Sequence, residues 1–364
     1  MPELGERFLV VRLGSLGDIV HTFPAVAALR KTFPAANITW LTHPRWESLV
    51  AASGLATEIW ATQTRSLGSL RSVIGRIHAA RFSCAIDYQG LWKSAGLPFL
   101  AGVAKRVGFS AETIREWGVP VLYTERVRCE RRHIAEQNGE LSIRAGAKCC
   151  AADFALRVGD HDAAFVAAAL RAGGVGDGGY VLLSPGGGWR SKCWPAERFG
   201  ELAAEIYRGM GLRCVVNYGP GEEWLVEEVK RSAGDAGPVG FCGEMGKLMA
   251  VARGALCMVG GDTGPLHLAV ALGTASVSVY GPTDPERNGP YPGFVLRDGV
   301  GGGGGVAVGA EGAAASRNVV FRAASAVRDH SRVDETDAAM LKISVGEVFG
   351  AVREMVAHVV GSRA

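Results

Sequence analysis

Residues 259–285, VGGDTGPLHLAVALGTASVSVYGPTDP, predict the end of one strand, a polar turn, a helix and a second strand. Asp262 stands where a helix N-cap is expected, with Gly264 and Pro265 just behind it. Such a turn presents backbone N–H groups and the positive end of a helix dipole, which suits a phosphate or pyrophosphate. His267 falls in the first turns of the helix and could face the same ligand. Turns of this kind bind nucleotides in α/β proteins, although an ordinary capped helix has the same pattern.

The composition indicates a globular protein with enough residues for two domains. Its 364 residues are 48% hydrophobic, and a net charge of only +3 gives no case for a nucleic acid as a partner. The eight cysteines form no CxxC pair and no Cys/His metal-ligand spacing, which is typical of reduced cytoplasmic thiols. No leader sequence precedes the first strand, and no apolar run approaches the ~20 residues that span a bilayer. We therefore expect a cytoplasmic protein whose contact with a membrane is peripheral.

Strands alternate with helices along most of the chain, which predicts an α/β fold of doubly wound parallel sheets. The first alternating series starts at the strand Phe8–Arg12, and the second follows a glycine-rich break at Gly173–Gly179. We expect two Rossmann-like domains, residues 1–172 and 180–344, that face each other across a central cleft. Clefts between domains are preferred ligand sites.

Two later segments differ from this alternation. Residues 298–315 are mostly Gly, Ala and Val, which predicts a flexible loop without a packed element, with a mobile lid as the alternative. Helical periodicity returns at 345–360, and we expect this terminal helix to pack back on the first domain.

The first strand leads directly into the turn RLGSLGDIVHTFP, where Gly14 and Gly17 allow the backbone to bend tightly and approach a ligand. The turn places Asp18 at the carboxyl edge of the predicted sheet, where a carboxylate can act as a general base. Alternatively, Asp18 only caps the helix that it opens. The glycine spacing is not G-x-G-x-x-G, which weakens a dinucleotide interpretation of this half of the chain.

The second domain offers two more candidate ligand loops. In LLSPGGGWRSKCWPAERF, backbone N–H groups of the glycines, with Lys192 reaching over them, form a plausible phosphate cradle. The alternative is a surface loop with a solvated lysine. In VVNYGPGEE, Glu222 follows a strand and could accept hydrogen bonds from ribose hydroxyls, or it could simply match the dipole of the next helix.

Basic residues crowd the first half of the chain and are densest in RCERRHIAEQN, just before a predicted helix. They could face an anionic acceptor or a lipid surface, whereas a solvated face is the ordinary interpretation of scattered cations. The set comprises Arg65, Arg71, Arg76, Arg81, Lys93, Lys105, Arg106, Arg115, Arg126, Arg128, Arg131 and Arg132.

Seven phrases, in order, resemble the bacterial heptosyltransferases of glycosyltransferase family 9, which build the inner core of lipopolysaccharide. The opening phrase RLGSLGDIVHTFPAVAALRKTFP is similar to the first motif of the family. DYQGLWKSA and RRHIAEQN are similar to the versions in heptosyltransferase I. The donor-domain signatures are matched by SKCWPAERF, YGPGEE, GGDTGPLHLAVAL and YGPTDPERNGPY. The likeness covers residues 8–292 and returns at MLKISVGEVFGAVREMV, whereas residues 299–315 depart from the family pattern.

This resemblance implies a GT-B fold, ADP-heptose as the donor and a Kdo-bearing lipid A precursor as the acceptor, at the cytoplasmic surface of the inner membrane. It also implies a transfer that inverts anomeric configuration without a metal or other cofactor. At matching positions, Asp18 is the general base that deprotonates the acceptor hydroxyl. Lys192 and the backbone around Thr263 and Gly264 would neutralise the leaving diphosphate.

The resemblance assigns further residues to the donor and the acceptor. Glu222 would hold the ribose, Asp262 the heptose hydroxyls, and His267 would lie against the donor. Members of the family often carry hydroxyl residues before the lysine, so backbone N–H groups must replace them here. Further donor contacts are expected from Ser15, Gly17, Gly187 and Gly188. Acceptor contacts are expected from Lys93, Arg131, Arg132 and His133.

Three other functions stay open from the sequence. The nearest is another family 9 transferase that adds a later core heptose or uses a different nucleotide sugar. A Rossmann oxidoreductase is disfavoured by the missing dinucleotide fingerprint. A protein that binds a nucleotide sugar without turnover would share the donor motifs but would not need a base at position 18.

Overall fold

The computed structural model describes residues 6–63, 66–114, 116–298, 305–309, 317–326 and 335–362. The chain divides into two compact units, Met1–Arg157 and Val158–Ala364. Each unit contains one largely parallel sheet with helices, as the alternation of strands and helices predicted.

The first unit starts with a buried apolar strand and adds strands on both sides of it. Its strands are β1 (Arg7–Val11), β2 (Asn37–Thr42), β3 (Glu58–Ala61), β4 (Cys84–Asp87), β5 (Lys105–Phe109) and β6 (Glu125–Val127). Its helices are α1 (Leu16–Val20), α2 (Phe23–Thr32), α3 (Glu47–Ser53), α4 (Leu67–Ala80), α5 (Trp92–Leu100) and α6 (Ile134–Ala145).

The order of strands in this first sheet is β3-β2-β1-β4-β5-β6, and all neighbours are parallel. The chain therefore moves outward from β1 in one direction and returns to β4 on its other side. This reversal between β1 and β4 is a topological switch point, where the loops after the two strands diverge and leave room for a ligand. The loop after β1 leads into the first turn of α1, which contains Asp18, and the DYQG phrase spans the end of β4 and the loop after it.

The second unit repeats the plan with more strands. Its helices are α7 (Asp160–Ala172), α8 (Ala196–Met210), α9 (Glu223–Ala233), α10 (Met245–Gly254), α11 (Gly264–Ala271), α12 (Pro285–Asn288) and α13 (Val345–Gly361). Its strands are β7 (Tyr180–Ser184), β8 (Arg213–Asn217), β9 (Val239–Phe241), β10 (Cys257–Gly260), β11 (Ala275–Tyr280), β12 (Gly293–Arg297), β13 (Gly305–Gly309) and β14 (Asn318–Arg322).

The second sheet has the order β13-β12-β14-β11-β10-β7-β8-β9, with only the β12–β13 pair antiparallel. Successive residues of β7 enter different core clusters, because Val181 and Leu183 pack on one face and Tyr180 and Leu182 on the other. Both faces of the sheet are therefore covered, as expected for a parallel sheet. The strand order reverses between β7 and β10, so the loops after these two strands flank the second switch point.

Two helices belong to a different unit from the one that the sequence predicted. Helix α7 was placed in the first domain, which was drawn to residue 172, but its Val166 and Leu170 pack in a core cluster of the second unit. Helix α13 was expected to pack back on the first domain. Instead its Val348 and Val352 share a core cluster with Val181 of β7. Both helices present an apolar stripe, and periodicity alone does not say which sheet covers it.

The glycine-rich segment also differs from the expected loop, because Gly305–Gly309 forms β13 and pairs with β12. Backbone hydrogen bonds to an existing strand support this segment although its side chains contribute little. Residues 299–304 and 310–315 lie outside the described part of the chain. Among the described residues, no helix combines the length and the apolarity that a membrane crossing requires.

Candidate active site

The first turn of α1, which follows β1 closely, carries Asp18 at the switch point of the first sheet. Its Oδ2 atom accepts hydrogen bonds from the Ser15 backbone N–H at 3.1 Å and from the Ser15 hydroxyl at 2.9 Å. These bonds tie Asp18, the third residue of α1, to the N-cap residue Ser15, so Asp18 supports the start of the helix without being its N-cap. The side chain is nevertheless 43% exposed, so its structural role leaves the carboxylate accessible to a substrate.

Arg12, which no sequence pattern singled out, is the charge partner of Asp18. Its Nη2 atom lies 2.8 Å from Asp18 Oδ1, and its Nη1 atom donates to the carbonyl oxygen of Tyr88. The backbone N–H of Leu13 donates to Gln89 Oε1 at 2.8 Å, so the loop after β4 holds the turn after β1. The Arg12 side chain is buried, and a buried guanidinium requires partners of this kind. The only signal in the sequence was an arginine at the end of an apolar strand, directly before a turn with an acid.

A buried carboxylate, Asp87, organises the loop after β4. It accepts hydrogen bonds from the backbone N–H groups of Gln89 and Gly90 at 2.9 and 3.2 Å. It also accepts from the hydroxyls of Ser94 and Tyr123 at 2.9 and 2.7 Å. Burial raises the pKa of Asp87, and these four hydrogen bonds oppose that rise. The loop that contacts Arg12 is therefore fixed at its base.

The RRHIAEQN phrase packs beside the turn that carries Asp18. His133 caps α6, where its Nδ1 atom accepts from the Ala135 backbone N–H at 3.2 Å. Its ring centroid lies 5.3 Å from that of His21, the C-cap residue of α1, in an edge-on arrangement. Asn138 on α6 donates to the His21 carbonyl oxygen at 3.1 Å. Of the predicted acceptor contacts, His133 is therefore tied closely to α1.

The other predicted acceptor residues are exposed cations of the first unit. Lys93 lies in the first turn of α5, which follows the Asp87 loop, and Arg132 precedes α6. Arg131 also precedes α6, and its Nη1 atom lies 3.8 Å from Glu136 Oε1, a weak surface ion pair. Two cations of the basic set lie outside the described residues: Arg65 and Arg115.

In the second unit, the loop after β7 brings Lys192 to the loop after β10. Its Nζ atom donates to the Asp262 carbonyl oxygen at 2.5 Å and lies 4.3 Å from the centroid of the Trp189 ring. Gly187 and Gly188 run beside the lysine, since a Cβ on either would lie 3.7 or 3.9 Å from its Cε atom. The side chain is only 11% exposed, so the alternative of a solvated lysine is wrong. The lysine and the glycine loop form one surface at the switch point.

Asp262 does not cap α11, because Thr263 occupies the N-cap position with extended backbone. Instead the Oδ1 atom of Asp262 lies 3.1 Å from His267 Nε2, and its Oδ2 atom lies 4.0 Å from Lys192 Nζ. Burial alone would raise the pKa of the carboxyl group. The hydrogen bond from His267 and the charge of Lys192 outweigh burial, so the pKa is lowered. Asp262 is therefore an ionised acid at the start of α11.

Glu222 connects the loops after β7 and β8, which are neighbouring strands. Its Oε2 atom accepts from the Gly219 backbone N–H at 2.8 Å. Its Oε1 atom lies so close to Gly186 that a Cβ there would be 3.0 Å away. Glu222 also occupies the N-cap position of α9, which fits the dipole alternative. The carboxylate thus stands at the same edge as Lys192 and Asp262.

Each unit therefore concentrates predicted site residues at the switch point of its own sheet. In the first unit these are Ser15, Gly17, Asp18 and His133. The predicted acceptor residues Lys93, Arg131 and Arg132 lie on the exposed surface of the same unit, in α5 and just before α6. In the second unit they are Gly187, Gly188, Lys192, Glu222, Asp262, Thr263, Gly264 and His267. Asp284 caps α12, where its Oδ1 atom accepts from the Glu286 backbone N–H at 3.0 Å.

Each unit contains a largely parallel sheet with polar loops at its switch point. A comparison with known families identifies the class of protein as a glycosyltransferase. The model of glycosyltransferase family 9 (heptosyltransferase) matches residues 70–293, which is more than half of the chain. The chain belongs to this family, as the resemblance predicted.

Individual relatives agree with this assignment. Lipopolysaccharide heptosyltransferase 1 of Escherichia coli (strain K12) is 29% identical in an alignment of 300 positions that covers 78% of this chain and 91% of that protein. The family 9 structure from Veillonella parvula DSM 2008 is 20% identical, with a TM-score of 0.79 over 98% of this chain and 99% of its own.

The E. coli heptosyltransferase WaaC has been solved with ADP and with ADP-2-deoxy-2-fluoro heptose. The two structures are 22% and 21% identical to this chain, with TM-scores of 0.70 and 0.67. Each covers 96% of this chain and 99% of its own. These likenesses confirm the predicted GT-B class of α/β fold.

Proposed function

We propose that this glycosyltransferase transfers heptose from ADP-heptose to the Kdo of a lipid A precursor, the first heptose addition of the lipopolysaccharide core. The names of the relatives support a lipopolysaccharide substrate, and the WaaC complexes with ADP and an ADP-heptose analogue support the donor. The observation that carries the proposal is the orientation of Asp18, whose accessible carboxylate is held by Arg12 and Ser15.

The second unit supplies the donor site in this proposal. When the donor binds, Lys192 gives up its hydrogen bond to the Asp262 carbonyl oxygen and binds the donor diphosphate instead. The negative charge on the diphosphate increases as the bond to the sugar breaks. The N-terminal end of α11, at Thr263 and Gly264, adds backbone N–H groups and a helix dipole. Glu222 accepts from the ribose hydroxyls, and the Asp262 carboxylate accepts from heptose hydroxyls. Preorganised charges of this kind stabilise a leaving group without reorganisation during the reaction.

The first unit supplies the base. Asp18 takes the proton of the acceptor hydroxyl as that oxygen attacks the anomeric carbon of heptose. The new bond between carbon and oxygen forms while the bond to the diphosphate breaks, and ADP leaves with the bonding electrons. A single displacement of this kind inverts the configuration at the anomeric carbon. Arg12 holds the carboxylate in place, because its guanidinium is itself fixed by Tyr88.

No metal is required in this scheme, because Lys192 and the helix terminus carry the positive charge that faces the diphosphate. Lys93, Arg131 and Arg132 provide cationic contacts for the carboxylates and phosphates of the acceptor, and His133 provides a hydrogen-bonding contact beside them. Charge complementarity of this kind steers an anionic substrate toward its site.

The decisive experiment is incubation of the protein with ADP-heptose and Kdo₂-lipid A, followed by mass spectrometry. One added heptose is expected. If only an already heptosylated acceptor reacts, the protein is a later core transferase of the same family. If ADP-heptose binds but neither acceptor reacts, the protein binds nucleotide sugars without turnover, and the proposal is wrong.

A further inference from the structure

The outward face of α5 is apolar although it is exposed to solvent. Trp92, Phe99 and Leu100 all lie on this face, with Leu100 61% exposed. Lys93 is the one charged residue of the helix, and it is also exposed. Residues seven positions apart share one side of a helix, so Trp92 lies in line with Phe99, and Lys93 lies in line with Leu100. Together the two pairs cover the length of the helix from Trp92 to Leu100, about 12 Å. An amphipathic helix of a globular protein would normally place polar residues here.

A second exposed apolar segment runs alongside α5. It contains Trp117, which is 94% exposed, and Val121, which is 64% exposed. At one end of α5 the backbone N–H of Trp92 donates to Glu116 Oε2 at 2.7 Å, and the Trp92 ring packs on Gly118. The side chains of the helix and the segment therefore form one surface.

Arg106 joins the same two elements at the other end of α5. Its Nε atom donates to the Leu122 carbonyl oxygen at 2.7 Å, and its guanidinium carbon lies 5.4 Å from the centroid of the Phe99 ring. We call the surface formed by α5 and residues 116–122 the α5 surface.

The stretch of chain that contains α5 carries cations with almost no acids, whereas the segment 116–122 contributes Glu116. Between Ile59 and Ala111 the only acid is Asp87, which is buried. The cations of the same stretch are Arg65, Arg71, Arg76, Arg81, Lys93, Lys105 and Arg106. Apolar side chains that protrude beside such a cationic stretch match the interface of an anionic bilayer, where tryptophans also accumulate.

The position of the α5 surface suits an acceptor that is anchored in a bilayer. Helix α5 starts directly after the loop of Asp87 and Gln89, and Gln89 holds the turn that leads to Asp18. The surface therefore begins at the sheet edge that carries the proposed base.

We infer that the α5 surface docks the protein on a bilayer rich in anionic phospholipid, with Trp117 and Leu100 inserted at the headgroup level. This inference extends the proposed function by assigning its membrane contact to named residues. A bilayer is favoured over a second copy of the chain because Lys93 and Arg106 on this surface outnumber its one acid, Glu116, so a self-contact would bring excess positive charge together.

The test is flotation of the full chain with vesicles of phosphatidylethanolamine and phosphatidylglycerol, compared with vesicles of phosphatidylcholine. The protein is expected to float with the anionic vesicles and much less with the neutral ones. The double variant Trp117→Ser, Leu100→Ser should bind the anionic vesicles about tenfold more weakly than the wild type, because each side chain contributes apolar area to insertion. The matched control is Leu341→Ser, Val360→Ser, which removes exposed apolar residues of the second unit and should bind as the wild type does.

Fluorescence quenching tests the same contact with the wild type and with a conservative aromatic replacement, so it does not depend on the folding of the serine variants. Brominated anionic lipids should quench tryptophan fluorescence of the wild type, and Trp117→Phe should remove most of the quenching. Unchanged quenching in that variant, or equal flotation with neutral vesicles, would overturn the inference. So would light scattering that shows a wild-type dimer and a monomeric double variant, because a second copy would then cover the surface.

Vesicle binding is measured without donor or acceptor, so its failure is distinct from failure of the proposed reaction. A water-soluble, deacylated acceptor provides the complementary measurement. The double variant should glycosylate this acceptor at the wild-type rate, since neither residue contacts the site.

Discussion

Arg12 and Asp18 form an ion pair of 2.8 Å that joins a buried guanidinium to a carboxylate that is 43% exposed. Arg12 binds one carboxylate oxygen, and Ser15 binds the other. The acid therefore has a defined orientation before a substrate arrives, and a base with a defined orientation needs less reorganisation to accept a proton.

Replacement of Asp18 by Asn should lower kcat by about 10²–10⁴-fold, because the amide oxygen can still accept from Ser15 but the side chain loses the Arg12 ion pair and cannot take the acceptor proton. Binding of ADP-heptose, measured by calorimetry, should stay within about twofold of wild type if the second unit holds the donor. The control is Asp160→Asn, which changes the first residue of α7. Near wild-type turnover in Asp18→Asn would disprove the assignment of the base.

Replacement of Arg12 tests its proposed positioning role. Arg12→Ala should lower kcat by about 10–100-fold with little change in the donor KM, because Asp18 loses one of the contacts that orient it. Arg12→Lys keeps the charge and should recover part of the rate. If the arginine is only structural, both variants should lose thermal stability while the folded fraction keeps the wild-type kcat.

Lys192→Ala should weaken ADP binding and lower kcat, by about 10²-fold or more in total, because one charge that faces the diphosphate is removed. Lys192→Arg should recover binding better than turnover, since a guanidinium keeps the charge but not the geometry of the ammonium group. Lys230→Ala, on the exposed face of α9, is the matched control and should be silent. Equal ADP affinity in Lys192→Ala and wild type would contradict the proposed donor site.

Chelation of divalent metals should leave the reaction unchanged. Initial rates measured with excess EDTA and with added Mg²⁺ should agree within about twofold, because the protein itself supplies the charges that oppose the diphosphate. A loss of activity in EDTA that Mg²⁺ or Mn²⁺ restores would show that a metal is part of the donor complex.

The lowered pKa of Asp262 predicts a specific pH dependence of stability. Its native-state pKa lies below the unfolded value of about 3.9, so the ionised group stabilises the fold at neutral pH. This contribution is complete above the unfolded pKa and is lost as the pH falls through the native one. Denaturant unfolding from pH 6 to pH 3 should show the wild type losing its advantage over Asp262→Asn below about pH 4. A difference that grows as the pH falls would contradict the lowered pKa.

The loops of the site were more predictable than their partners. Glycines and an acid between a strand and a helix indicated the turn at Asp18, and Gly-Pro after Asp262 indicated the start of α11. Arg12 was not predictable in this way, because its partner depends on the loop after β4 reaching β1. The N-cap of α11 was predicted one residue too early, at Asp262 instead of Thr263. The contacts of Asp262 with His267 and Lys192 were not predicted, because the loops after β7 and β10 meet only in the folded sheet.

The first strand and the terminal helix lie within one residue of their predicted limits, whereas the assignment of helices to units was wrong for α7 and α13. The stripes of α7 and α13 predict that each helix is covered, but the covering residues come from sequence-distant strands such as β7. Strand β13 was missed because Gly305–Gly309 has weak strand propensity, and pairing with β12 compensates for it.

The two reversals of strand order have an evolutionary consequence. Each proposed substrate meets loops that follow strands of a single sheet, and such loops change residues without disturbing the packed layers behind them. Replacements between β4 and α5 would select among lipid-linked sugars, whereas replacements after β7 and β8 would select among activated sugars. Members of the family can therefore diversify one specificity while they inherit the other intact.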